Sequence, residues 1–202
     1  MDDLHGLNIE KRALILDAAI AEFLDKGFSD ARMDAISARA TVSKRTVYKH
    51  FQSKESLFHA IVDLLAEQIA ETLDLTYDPA RPIRDQLVEL GWAEGRLFLS
   101  ERAIAMFRMI FAEAMRDPDL AAGLQTKFDK TKPIAALLRA ADLDGKLRVD
   151  APEAAAEQFI AMLKARAFWP AIFGAPQISE SEMADVIETS VAMLMARYGV
   201  DA

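Results

Sequence analysis

Residues 40–57 read ATVSKRTVYKHFQSKESL, and their side chains suit one kind of chemistry, the recognition of a polyanion. Lys44, Arg45, Lys49 and Lys54 are cations, Ser43 and Thr46 carry hydroxyls, Tyr48 and His50 carry rings with polar edges, and Glu55 is the one acid. From residue 35 to 54 there are five cations, counting Arg39, and no acid. A charge run is by default a solvated face, so its surroundings must decide. On a helix turning about 100° per residue, Arg45 and Lys49 share a face with Thr46 beside them. Tyr48 and His50 flank that face, and Lys44 reaches out from the first turn. Such groups can read guanine edges, touch thymine methyls and bond phosphates. Lys54 opens the next helix, where its charge joins free backbone amides and the positive end of the dipole to make a second phosphate site.

The elements that hold these groups follow from periodicity. Residues 44–50 are too short, and too rich in β-branched and aromatic residues, to stay helical alone. Val47 and Phe51 stand at i and i+4, and with Val42 and Ile36 they can pin the segment onto the helices before it. Ser43 is its N-cap. Upstream, a helix is predicted over about 10–26, with Ile15, Ala19 and Phe23 on one face and Leu16, Ile20 and Leu24 beside them. Asp17, Glu22 and Asp25 are read as facing out, and Gly27 as the C′ residue. A short second helix is predicted over about 32–40, carrying Met33, Ile36 and Ala40. A turn of three residues joins it to residues 44–50, which is a helix-turn-helix with its second helix suited to the major groove. Ser53 caps a fourth helix with Glu55 in its first turn, running to about Leu73.

TYDPARP marks a boundary, with Pro79 and Pro82 around a turn. Beyond it, helices are predicted over about 83–99, 101–116, 118–141, 152–171 and 179–198, with KLRV as a brief extended piece. The fold class is all-α, a small N-terminal helical unit followed by a larger bundle.

The bulk properties bound the function. The 202 residues carry a net charge of −8, yet residues 1–60 hold nine Lys/Arg and nine Asp/Glu, so the excess of acid lies beyond residue 60. There is no cysteine, hence no disulfide and no thiolate metal site. No run is apolar for the roughly 18 residues a membrane span needs, and MDDLHGLNIEKR lacks an apolar signal core, so a cytoplasmic protein is expected. His5, His50 and His59 have no metal-ligand spacing, and no Gly-rich phosphate loop occurs, so neither catalysis nor a metal is expected. Glu55 and His59, at i and i+4, read as a helix-surface pair.

The segment ILDAAIAEFLDKGFSDARMDAISARATVSKRTVYKHFQSKESLFHAIV resembles the N-terminal domain of TetR-family transcriptional regulators. The shared features are ordered: an apolar first helix ending at Gly27-Phe28, then Ile36, Ala40, Val42-Ser43, Thr46, Tyr48, His50-Phe51, Lys54-Glu55 and Leu57. The resemblance implies base contacts for Lys44 and Arg45, and base or phosphate contacts for Thr46, Tyr48, Lys49 and His50. It implies a phosphate contact for Lys54 and core positions for Val47 and Phe51. Two departures stand out. Thr41 occupies a turn position that is usually Gly, and a β-branched residue is disfavoured at positive φ; either the turn is strained or it avoids that region. Ala31 and Arg32 replace the usual Ser/Thr pair, and Arg32 is either a phosphate contact or a solvated arginine.

The same resemblance implies a DNA-binding domain over 8–68, with the helix-turn-helix at 32–51, and an effector-binding and dimerisation domain over 82–200. The function implied is a repressor that holds a pseudo-palindromic double-stranded DNA operator as a homodimer and is released by a small, largely apolar effector. No cofactor and no membrane partner are implied. Trp92, Phe98, Met106, Phe107, Phe111, Phe159, Met162 and Trp169 form an aromatic and methionine set that reads first as core and second, through its adaptable methionines and bulky rings, as the lining of an apolar pocket. Ile160, Leu163 and Ala167, and Ile187, Val191, Leu194 and Tyr198, form two apolar faces that pairing of two copies would cover. The alternative is a helical ligand-binding or scaffold protein without DNA binding; the uninterrupted basic face at 44–50 argues against it.

Overall fold

Apolar residues recurring every three to four positions make helices along the chain, and no strand forms among the described residues. The computed structural model describes residues 2–72 and 76–200, with side chains from residue 8 onward except residue 72. The described residues fall into two compact units. One is drawn from Met1–Ala66 with Ala105–Leu124, the other from Glu67–Ile104 with Gln125–Ala202. Residues 105–124 therefore group with the N-terminal helices in packing. Met106, Phe107 and Ile110 are buried there, and chain order does not dictate which apolar face an amphipathic helix finds.

In the first unit, α1 (Asp2–Asp30) begins well before the predicted start and breaks at Gly27. The dihedrals there, φ 77 and ψ 163, are open to glycine alone, so the break is sharper than the predicted C′ residue implies. Ile15, Ala19, Phe23, Leu16 and Ile20 are buried as expected, but two neighbours exchange roles. Glu22 is only 4% exposed, whereas Leu24 is 40% exposed. Glu22 lies seven residues after Ile15, which on a 3.6-residue turn returns it to nearly the same direction. Its charge is met by Arg39 from α2 (Met33–Arg39), whose Nε donates to Glu22 Oε2 at 2.8 Å while a terminal nitrogen donates to Asp25 Oδ2 at 2.6 Å.

The turn that follows places Thr41 at φ 54, the one positive φ at a described non-glycine residue. The strained alternative is thus the one adopted. Val42 N–H donates back to Ser37 O at 3.1 Å and closes the turn. Helix α3 (Lys44–His50) has the predicted bounds and cap, with Ser43 Oγ accepting from Thr46 N–H at 3.1 Å. Val47, Phe51 and Ile36 are buried, whereas Val42 is half-exposed. Helix α4 (Lys54–Thr72) starts with a reciprocal pair: Ser56 N–H donates to Ser53 Oγ and Ser53 N–H to Ser56 Oγ. Its predicted end at Leu73 lies outside the described residues. Rings of Phe23, Phe28 and Phe58 meet edge-on or tilted at 5.0–6.4 Å and join α1 to α4.

The remaining helices are α5 (Ile83–Phe98), α6 (Glu101–Ala114), α7 (Pro118–Lys127), α8 (Thr131–Leu143), α9 (Pro152–Leu163), α10 (Trp169–Ile172) and α11 (Glu180–Tyr198). The single helix predicted over 118–141 is two. Pro133 has no N–H and belongs in a first turn, and Asp129 Oδ1 accepts from Thr131 N–H at 2.9 Å to open α8. The predicted 152–171 helix is interrupted by a π-turn, Lys164–Phe168. KLRV is indeed extended at one point: Leu147 bridges Gly199, and Arg148 N–H donates to Tyr198 O at 2.7 Å.

Within the second unit α11 packs on α5 and α9. Gly91 and Gly95 permit the close approach of α5, since a Cβ at Gly91 would lie 2.6 Å from Ile187 Cγ2 and one at Gly95 3.0 Å from Met183 Cγ. This packing corrects the dimer faces read from sequence. Ile160, Leu163, Ala167, Ile187, Val191 and Leu194 are buried within one chain, because the two stripes find each other and α5, and Tyr198 alone of those residues stays half-exposed.

Candidate nucleic-acid interface

The DNA-facing candidates divide by what already holds them. Arg39 is spent on Glu22 and Asp25. Lys44, expected to reach outward, is drawn to Asp34, its Nζ donating to Oδ2 at 2.6 Å across two equally exposed side chains. Lys54 sits half-buried, Nζ donating to Ser29 O at 2.7 Å and lying 4.7 Å from the Phe28 ring centroid. That placement fixes the ammonium beside the start of α4 with two N–H donors unspent. Arg45 and Lys49 are exposed on α3, and neither has an ion pair among the described residues. Tyr48, flanking them, is 49% exposed. Thr46 is half-buried, with Oγ1 at 2.8 Å from Ser43 Oγ, and Ser43 itself is engaged as the cap. Arg32 is exposed at the N-cap position of α2 and makes no capping hydrogen bond.

His50 is half-buried at the end of α3. Burial holds its imidazole below the usual histidine range, and the charges of Lys49, Arg12 and Lys11 push the same way. Those last two residues were missed from sequence. Arg12 lies on α1 with its guanidinium carbon 5.3 Å from the Phe51 ring centroid, so the basic surface extends beyond α3. The EKR triplet at residues 10–12 was the available signal, but only the fold brings it beside residues 50 and 51. Asp34, which holds Lys44, was missed for the same reason.

The aromatic and methionine set is not gathered at one place within a unit. Met106, Phe107 and Phe111 belong to the first unit, the rings of Phe107 and Phe111 being 5.8 Å apart. Trp92, Phe98, Phe159, Met162 and Trp169 belong to the second. There, Phe98 and Phe159 are buried, Trp92 lines a cleft with Arg96, Leu99, Ser100 and Glu180, and Met162 lines an open cleft between α9 and α11. Trp169 is 43% exposed and stacks on the exposed Phe173 at 6.4 Å.

A capped two-turn helix set on two apolar anchors, projecting an arginine, a lysine and a tyrosine from a three-helix frame, defines a helix-turn-helix DNA-binding protein. Comparison with known proteins narrows the class. Residues 15–61 match the family described as bacterial regulatory proteins, tetR family, and residues 85–200 match the C-terminal domain of AefR-like transcriptional repressors. The HTH-type transcriptional regulator UidR of Escherichia coli (strain K12) is 33% identical over 153 residues, 74% of this chain and 76% of UidR. A TetR family transcriptional regulator from Pseudomonas syringae pv. tomato str. DC3000 superposes with a TM-score of 0.78 at 35% identity, covering 95% of this chain and 98% of its own. The flavonoid-responsive regulator FrrA superposes with a TM-score of 0.77 at 26% identity, covering 96% of this chain and 99% of its own. The chain belongs to the TetR family of transcriptional regulators. It is a DNA-binding regulator and not an enzyme, and the reading as a scaffold without DNA binding is set aside. No helix among the described residues is long and apolar enough to cross a membrane.

Proposed function

We propose that the protein is a cytoplasmic repressor that grips a two-fold-symmetric operator as a homodimer and releases it when a small, largely apolar effector binds the second unit. The observation that carries the DNA contact is the pair Arg45 and Lys49, exposed on α3 and unclaimed by any carboxylate among the described residues. Arg45 is assigned to a base edge and Lys49 to a phosphate, with Lys54, Tyr48, His50 and Thr46 fixing the backbone. Arg32, exposed at the start of α2, is assigned to the same backbone, and Lys44 joins once Asp34 yields it. For the second copy, the buried stripes are replaced by the outer cleft of α9 and α11, where Met162, Val186, Thr189 and Met193 line an open surface beside Arg166 and Asp185. Met193 is 59% exposed, and an opposed basic and acidic residue suit a face that meets its own copy. Support for an effector comes from FrrA, a flavonoid-responsive regulator of the same fold.

The test uses duplexes selected from a random-sequence pool by the full-length protein. Arg45→Ala is expected to weaken binding by about 1–3 kcal/mol and relax the base preference at one position in each half-site. Lys49→Ala is expected to weaken all sequences alike and reduce the slope of log affinity against log salt by about one. Selection of no preferred duplex, or variants that bind like the parent, would defeat the proposal.

A further inference from the structure

A second polar cluster lies far in sequence from the DNA-facing residues, inside the second unit. Glu94 of α5 is wholly buried, and Lys130, just ahead of α8, is only 5% exposed. Lys130 Nζ donates to Glu94 Oε2 at 2.7 Å. Removing two charges from water is costly, and an apolar pair of the same volume would often stabilise a fold as well or better. A buried ion pair is therefore weak evidence for a purely structural role. The hydrogen-bond accounting points further. Glu94 Oε1 is buried and has no donor among the described residues. Buried carboxylate oxygens without a donor are rare in native proteins and call for an explanation. Lys130, for its part, has three N–H donors and gives one to Glu94.

The surroundings indicate what would fill both valences. Lys130 Nζ lies 5.7 Å from the Phe98 ring centroid, and Lys164 Nζ lies 5.7 Å from that of Phe168. The Phe98 and Phe168 rings are themselves 5.2 Å apart. Lys164 and Phe168 begin and end the π-turn, a wide turn of a kind found disproportionately at functional sites. Burial lowers both lysine pKa values below the usual range; Glu94 opposes this at each, and Lys130 adds to it at Lys164. The two lysines thus address the same aromatic pair, and Glu94 reaches it through its bond to Lys130.

We infer that the Glu94–Lys130 pair is the polar anchor of the effector site and that the effector is a hydroxylated aromatic, a phenol. A phenol hydroxyl can donate to Glu94 Oε1 and accept from an unspent N–H of Lys130 at once, while its ring packs with Phe98 and Phe168. The inference rests on the effector-release reading above.

The experiment compares 4-phenylphenol with 4-methoxybiphenyl, which keeps the rings and the oxygen but cannot donate. Binding to the full-length protein is measured by calorimetry, and release by displacement of the selected duplex. The phenol is expected to bind at least about tenfold more tightly, as a donor facing a buried carboxylate should. In Glu94→Leu/Lys130→Met the pair is replaced by apolar side chains of similar size, so folding, oligomeric state and duplex affinity should persist. This variant is expected to bind the two probes equally. Equal affinity in the parent, or a phenol preference that survives in the double variant, overturns the anchor while leaving effector release standing. If the parent binds neither probe, the phenol assignment is overturned. Should the parent bind either probe without losing the duplex, it is the effector-release reading that fails.

Discussion

At the scale of single residues, two positions near α3 carry measurable consequences. Thr41 stands at φ 54, where a β-branched side chain crowds the backbone. Replacing it by Gly relieves that crowding at some entropic cost, and Thr41→Gly is expected to stabilise the fold by about 1 kcal/mol. A melting temperature no higher than the parent's would show that the turn bears no strain. His50 titrates below the ordinary histidine range, through burial first and then Lys49, Arg12 and Lys11, so it is neutral near pH 7. A neighbouring phosphate favours the charged ring. Operator binding should then take up a proton, and affinity should rise as pH falls toward the depressed pKa of the free protein and level off below it. The folding contribution runs the other way: it is complete above the unfolded pKa and diminishes as pH falls from there through the folded value. His50→Asn should flatten the binding profile; a profile unchanged by the substitution would remove His50 from the contact.

At the scale of elements, close packing depends on a few small or charged residues. Arg39 ties α2 to α1 through Glu22 and Asp25, so a cation that sequence counted toward the DNA-facing run serves to seat the helix-turn-helix. Gly91 sets the distance between α5 and α11. A methyl there would lie 2.6 Å from Ile187 Cγ2, and Gly91→Ala should cost about 1–3 kcal/mol of stability by overpacking. With Ile187→Ala the obstruction is gone, so in urea unfolding the double substitution should cost less than the sum of the single ones. Strict additivity would mean the two helices adjust freely.

At the scale of the whole molecule, charge and oligomeric state belong together. The net −8 resides beyond residue 60, and the basic side chains cluster on α3 and around Arg12 of α1. An acidic body limits attachment to DNA elsewhere than at the reading heads. If the α9–α11 cleft is the meeting surface of two copies, Met193→Glu should yield a folded monomer by sedimentation. Its operator affinity should drop steeply, because the second half-site is lost. A Met193→Glu protein that remains dimeric would exclude that surface.

Much of this was legible from local chemistry. The bounds of α3, its Ser43 cap, the Val47 and Phe51 anchors and the outward Arg45–Lys49 face all follow from propensity, capping and a 3.6-residue period. So does the all-α class. These features depend on neighbours within a few residues, and sequence records such neighbours directly. Which cations are claimed by carboxylates, that Glu22 is buried and Leu24 is not, and that Thr41 accepts a positive φ were decided by tertiary contact. So were the joining of residues 105–124 to the N-terminal helices and the burial of all but Tyr198 of the supposed dimer stripes inside one chain. An apolar stripe states that it must be covered, since exposed apolar area is unfavourable in water. It does not state by what, because the hydrophobic effect has no direction, and only the packed fold selects the partner.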